Sequence, residues 1–227
     1  WAVIRPLLTV VVFTVVFGKL AKMPSDGDAP YTLLVLCGML PWTLFASALA
    51  EASNSLIVNG NLIGKVYFPR IIVPVATIGV GLIDFLIGLV LLGLFVVYYH
   101  YPLSVNILLL PAFVTMALLA SLGPGLWLAA QNVNYRDFRY IVPFIIQIGI
   151  YVTPIGFSSS VVPEPWRVLY SINPMVGVID GFRWCILGSA SSFYWPGFVV
   201  GLIVTFVFLK LGISQFRKTE KGFADII

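Results

Sequence analysis

The chain has 227 residues, of which 60% are hydrophobic and 10% charged, and its mean hydropathy is +1.03. A soluble domain carries about 25% charged residues, so a water-soluble fold is excluded. The formal net charge of +4 is scattered through short polar gaps rather than gathered in a patch, which is how membrane proteins are anchored and not how nucleic acid is held.

A helix needs about 20 apolar residues to cross the hydrocarbon. Six such runs occur, at roughly 2–20, 31–50, 71–99, 105–130, 140–157 and 193–213. They are continuously apolar and lack the period-two alternation of barrel strands. The expected fold is therefore all-α and integral to the membrane, one transmembrane domain over 1–227 with six transmembrane helices per protomer. The first run has the length of a signal peptide, but Arg5–Pro6 interrupts its start and no small-x-small cleavage site follows. It reads as a span. Trp1 in place of Met implies a longer chain whose upstream part is missing here.

After a polar turn at 21–30 and the second run comes a long gap at 51–70. Its stretch "NGNLIGKVYFPR" (59–70) superficially resembles a phosphate-binding loop. The motif needs four residues between its glycines, then Lys and Ser or Thr. Here Gly60 and Gly64 enclose three, and Val66 follows Lys65, so a nucleotide site is rejected. Leu56, Ile57, Leu62 and Ile63 read instead as one apolar patch of a short helix, with Tyr67 and Phe68 beyond it. Such a helix either plugs into a groove on a soluble partner or rests on the inner membrane interface. Pro69 and Pro74 then set the start of the third run, where Pro suits a first turn.

Asp84, in "VGLIDFLIGL", is the clear charge inside a span. A mid-span carboxylate costs about 2.5–3.5 kcal/mol to insert, so Asp84 is expected as a buried intramembrane acid facing protein or water. It acts either as a proton or cation relay or as a hydrogen-bonded packing residue. Tyr98, Tyr99 and Tyr101 mark the next interface, and short connections follow at 100–104 and 131–139.

The segment 158–192 is divided by Pro163, Pro165 and Pro174 into two short amphipathic helices, neither long enough to span. They are either re-entrant or flat on the outer surface. Asp180 and Arg183 in the second favour re-entry, with the charges facing protein. Six spans put both termini on one side. That side carries nine Lys and Arg residues against four on the other, which places the termini and the 51–70 segment in the cytoplasm.

His100 is the single histidine, and Cys37 and Cys185 lie far apart in apolar surroundings. No metal spacing, catalytic constellation or internal repeat is seen. This argues against an intramembrane lipid-sugar transferase and an ion-coupled carrier. The energy for any transport must enter through a cytoplasmic contact.

"SNSLIVNGNLIGKVYFPRIIVPV" (53–75) resembles the loop between the second and third spans of type-2 ABC exporter permeases. "TPIGFSSSVVPEPWRVLYSINPMVGVIDGFRWCILG" (153–188) is similar to their C-terminal signature, with Thr-Pro-Ile, Pro-Glu-x-Trp-Arg, Asn-Pro-Met and Gly-Phe-Arg elements. The nearest resemblance is to the polysaccharide branch, which includes the Wzm-like subunits of O-antigen exporters and the capsule and teichoic-acid exporters. The resemblance implies a homodimer in the cytoplasmic (inner) membrane with two Wzt-like ABC ATPase subunits below it. ATP and Mg would sit in those subunits, with no cofactor, catalytic residue or metal in this chain. The substrate would be a glycan on polyprenyl pyrophosphate; teichoic acid, capsule, a drug or another lipid is the alternative. It also implies an amphipathic helix before the first span, which Trp1 leaves outside this sequence.

By the same resemblance, Asn54, Leu56, Ile57, Asn59, Leu62, Ile63, Lys65 and Tyr67 belong to a coupling helix that sits on the ATPase. The first and fifth spans line the channel, which points to Phe13, Phe17, Phe144, Tyr151 and Phe157. Aromatic rings suit a sliding neutral polymer, because each stacking contact is weak and replaceable by the next. Trp166, Arg167, Asp180 and Arg183 would form the outer gate, touching the lipid pyrophosphate or pinning the two short helices together. Gly177–Gly181 is a weak GxxxG pointer to a helix seam.

Overall fold

The structure is a computed structural model describing residues 3–23 (Arg5 by its backbone), 25, 27, 29–65, 68–135, 137–188 and 193–220. The described residues form helices and contain no strand. α1 (Ile4–Phe13) runs on as a π-helical stretch, Thr14–Leu20. Then come α2 (Tyr31–Val58), the single turn α3 (Gly60–Ile63), α4 (Ile72–Thr77) and α5 (Val80–Tyr98). A 3-10 turn, Val105–Leu109, leads into α6 (Leu110–Asn134) and α7 (Phe138–Val152). After a second 3-10 turn, Ser159–Val161, follow α8 (Glu164–Tyr170), α9 (Pro174–Leu187) and α10 (Trp195–Thr219).

Among the described residues, four helical stretches are long and apolar enough to cross a membrane: Tyr31–Val58, Ile72–Tyr98, Val105–Asn134 and Trp195–Thr219. Pro6–Leu20 and Phe138–Val152 are apolar but shorter. The sequence ran the fifth apolar segment to 157. The helix stops at Val152 because Pro154 drives Thr153 into an extended conformation, φ −92° and ψ 144°.

α2 is the axis of the protein. In its most apolar stretch 72% of residues are buried, against 28%, 33% and 22% in the other three. Every residue from Leu33 to Trp42 is buried, and a helix apolar all round is stable only where all sides are covered. The cover comes from α1, α4, α5, α6, α7 and α9. α2 also outlasts the expected boundary near residue 50. Its polar residues are satisfied within the helix, so they do not end it. The Ser53 and Ser55 hydroxyls donate to the Ala50 and Ala52 carbonyls, and the Asn54 amide donates to Ala50 O at 3.2 Å.

α6 and α10 cross at two glycines. A Cβ on Gly123 would stand 2.6 Å from the Leu209 nitrogen, and one on Gly212 would strike the Gly123 carbonyl. Small residues allow this close backbone approach, which drives helix association in a membrane.

α5 buries one stripe against α2: Gly81, Phe85, Gly88, Leu92 and Val96. Asp84 lies beside that stripe and is exposed. The expectation of a buried acid is thus corrected for the single chain. α5 packs mainly on α2, with Phe85 also meeting Phe182 of α9, so one face is covered and the flank bearing Asp84 is not.

Gly212→Val is expected to destabilise the protein by about 1–3 kcal/mol, the usual cost of overpacking, read as a lowered Tm in detergent. Gly93→Ala, where a Cβ meets nothing within 4 Å, should not lower it.

Candidate functional site

Beyond α7 the backbone is irregular, yet Thr153, Pro154, Ile155, Gly156 and Ser158 are buried. Buried irregular backbone in a membrane protein needs partners for its polar groups. Side chains from three helices supply them. Arg183 of α9 is fully buried. Its Nη1 donates to Phe157 O and its Nη2 to Ile155 O, both at 2.9 Å. The same guanidinium reaches Leu34 O on α2, with Nε at 3.4 Å and Nη2 at 3.5 Å. Tyr31 OH donates to Gly156 O, and Tyr170 OH on α8 donates to Val152 O at 2.8 Å. Asn173 Nδ2 donates to Thr153 Oγ1 at 3.0 Å, while its Oδ1 caps α9 by accepting from Met175 N–H at 3.1 Å. Gly38 makes the room. A Cβ there would lie 3.0 Å from Ile155 O and 3.1 Å from Arg183 Nη2.

A second network joins α8 to α9. Ser159 Oγ donates to Asp180 Oδ2 at 2.6 Å. Arg167 Nη2 lies 3.5 Å from Ser159 Oγ, and its guanidinium sits 4.4 Å over the Tyr194 ring. Trp166 is 63% exposed. The four expected gate residues therefore do not share one surface. Asp180 and Arg183 are internal, Arg167 is half-buried and Trp166 faces out. Residue order places Arg183 among the four outer-side charges. It is instead solvated by carbonyls, which the linear pattern does not disclose.

The elbow after α2 splits its expected patch. Leu56 and Ile63 are buried in a cluster with Val73, Leu126, Val133 and Phe216. Ile57, Val58 and Leu62 remain exposed, at 42%, 77% and 49%. The residues expected on one short helix belong to two elements: Leu56 and Ile57 end the long α2 and point to different sides. Asn59 Nδ2 donates to Ser55 O at 2.8 Å, Asn54 turns back on Ala50, and Lys65 is exposed. Tyr67 lies outside the described residues. Buried Asn132 ties the elbow to α6, its Nδ2 donating to Ser53 O at 2.7 Å.

The expected lining residues also divide. Phe13 is buried and Phe17 half-buried; their rings lie 5.3 Å apart. Both press on Gly156, where a Cβ would stand 2.7 Å from Phe13 Cδ1. In this chain Phe13 is a core residue that docks α1 on the linker, not a lining residue. Phe157 is half-buried. Phe144 and Tyr151 are exposed on α7, and Tyr140 joins them. The sequence reading missed Tyr140, Tyr31, Ser159 and Asn173. Asn173 had a legible signal, since Asn before Pro starts a helix.

A family profile described as ABC-2 type transporter matches residues 1–187. The chain belongs to the ABC-2 type transporter family. This ABC-2 permease is similar to an "O-antigen export system permease protein RfbA" of Klebsiella pneumoniae, 25% identical over all of this chain and 86% of the relative. A protein of the same name from Myxococcus xanthus is 25% identical over 81% of this chain and 70% of its own length. The "Inner membrane transport permease YadH" of Escherichia coli K12 is 24% identical over 94% of this chain and 83% of its own. Family and apolar helices together make the chain a multi-pass membrane transport permease.

Arg183→Met is expected to cost about 1–3 kcal/mol for each carbonyl left without a donor, read as a large loss of Tm in detergent. Arg183→Lys keeps a charge but not the fork and should fall between. Trp166→Ala should leave Tm unchanged.

Proposed function

We propose that this chain is the membrane half of an ATP-driven exporter, and that two copies form a passage for a glycan carried on polyprenyl pyrophosphate. ATP hydrolysis, with its magnesium, belongs to a separate pair of ABC ATPase subunits. The observation that carries this reading is the exposed aromatic face of α7, uncharged from Tyr140 to Tyr151, in a chain similar over its whole length to an O-antigen permease. A long neutral polymer must slide. Rings give weak, replaceable contacts to sugar faces, whereas ion pairs would trap it.

In this reading the chain crosses the cytoplasmic (inner) membrane six times, with both termini inside. α7 alone is 15 residues, about 22 Å against a core of about 30 Å. The clamped linker and the short helices α8 and α9 complete its crossing from the outer side. The elbow at Ile57, Val58, Leu62 and Lys65 is the coupling surface. Leu56 and Ile63 anchor it to α6 and α10, so a push on the elbow reaches the bundle. Arg167 and Trp166 stand at the outer mouth. A second reading keeps the fold and changes the cargo to teichoic acid, capsule, a drug or another lipid; the likeness to YadH, named as a transport permease with no cargo stated, is compatible with either.

Two tests follow. The protein should copurify with a soluble ATPase, and Ile57→Asp with Leu62→Asp should abolish copurification while leaving Tm unchanged, since both side chains are exposed. Retained binding would remove the elbow from the coupling surface. Phe144→Ala with Tyr151→Ala should slow glycan export several-fold at unchanged abundance; native export by the pair would sink the lining assignment.

A further inference from the structure

Gln147 has no role in anything above. It is exposed on α7, inside an apolar helix. It stands nine residues after Phe138 and five before Val152, too far from either end for so short a side chain to reach an interface. Its face is not aliphatic. Tyr140, Phe144, Gln147 and Tyr151 recur at i, i+4, i+7 and i+11, which places them on one side of a helix. The three rings are 69%, 62% and 68% exposed. The uncovered face of α5 instead presents Ile83, Leu86, Val90, Leu94 and Val97. That face suits hydrocarbon. The α7 stripe, with an amide and two phenols, does not, because hydrocarbon offers an amide no partner.

We propose that Gln147 is a hydrogen-bonding contact for the moving glycan, set between the ring platforms of Phe144 and Tyr151. The proposal rests on the polysaccharide reading above and adds a recognition element to it. A primary amide carries two donors and an acceptor, which matches sugar hydroxyls that both donate and accept. Phe144 and Tyr151 are about 10 Å apart along the helix axis, with the amide between them. Its neutrality keeps the contact reversible, where a charged hydrogen bond would hold each sugar more tightly. The rings thus accept any sugar face, and the amide favours a cargo bearing hydroxyls.

The test uses the full exporter with its ATPase subunits in vesicles and, as probe, a neutral hexose polymer on polyprenyl pyrophosphate. Cys37 and Cys185 are buried, so the background for thiol labelling is low. Gln147→Cys should react with a hydrophilic maleimide, and the probe should slow that reaction. Gln147→Leu should cut transport about two- to tenfold, the value of one neutral hydrogen bond, at unchanged Tm, and Gln147→Asn should restore part of it. If Phe144→Cys is labelled and protected by the probe while Gln147→Cys is not, the inference falls and the passage stands. The same holds if Gln147→Leu transports at the native rate. If the probe protects neither position, both the inference and the passage reading fall.

Discussion

The fold depends on one buried guanidinium. Arg183 solvates a stretch of backbone that belongs to no helix, at a place where water is not available to do so. Its fork reaches Ile155 and Phe157 on the linker and Leu34 on the axial helix, so it joins three parts of the chain that are distant in sequence. The carbonyl dipoles aimed at it offset part of the cost of burying a charge. Tyr31, Tyr170 and Asn173 complete the shell. The linker is therefore irregular and fixed at once.

That clamp determines what the periphery can do. With the linker held, α1 has a surface to rest on, through Phe13 and Phe17 against Gly156. α7 runs from the same point and packs its other side on α2 and α6 through Val142, Ile146 and Gly149, which leaves its aromatic stripe uncovered. At the other end of α2, Leu56 and Ile63 fix the elbow to α6 and α10. One continuous helix of 28 residues thus connects the elbow to the linker that Arg183 clamps against Leu34. In the exporter we propose, this helix is the path by which a push on the elbow reaches the far end of the bundle.

Much of this was legible from residue order. The apolar runs gave the all-helical membrane class, because backbone in lipid must satisfy itself. The scattered cations and long apolar runs pointed to a membrane permease, the role that the family match supports. The 153–188 signature pointed to the family, which the match over 1–187 then showed. The individual site residues were less legible. Phe13 and Phe144 look alike in sequence, an aromatic in an apolar run. One is core and the other exposed, because Phe13 faces the linker at Gly156 while Phe144 lies on the side of α7 turned away from α2 and α6. Asp84 was expected inside and stands on a flank, since only the Phe85 side of α5 meets other helices.

Sequence by itself determined how the chain meets the membrane, because hydropathy and the need for internal hydrogen bonds are local properties of each run. It also set the break after α7, through the steric effect of Pro154 on Thr153. Only the tertiary structure decided that Arg183 lies inside rather than at the outer face. Its three carbonyl partners sit 26, 28 and 149 residues away, and no linear pattern encodes contacts at that range. It likewise decided which side of the elbow and of α7 stays uncovered, because exposure is set by the helices that happen to pack there.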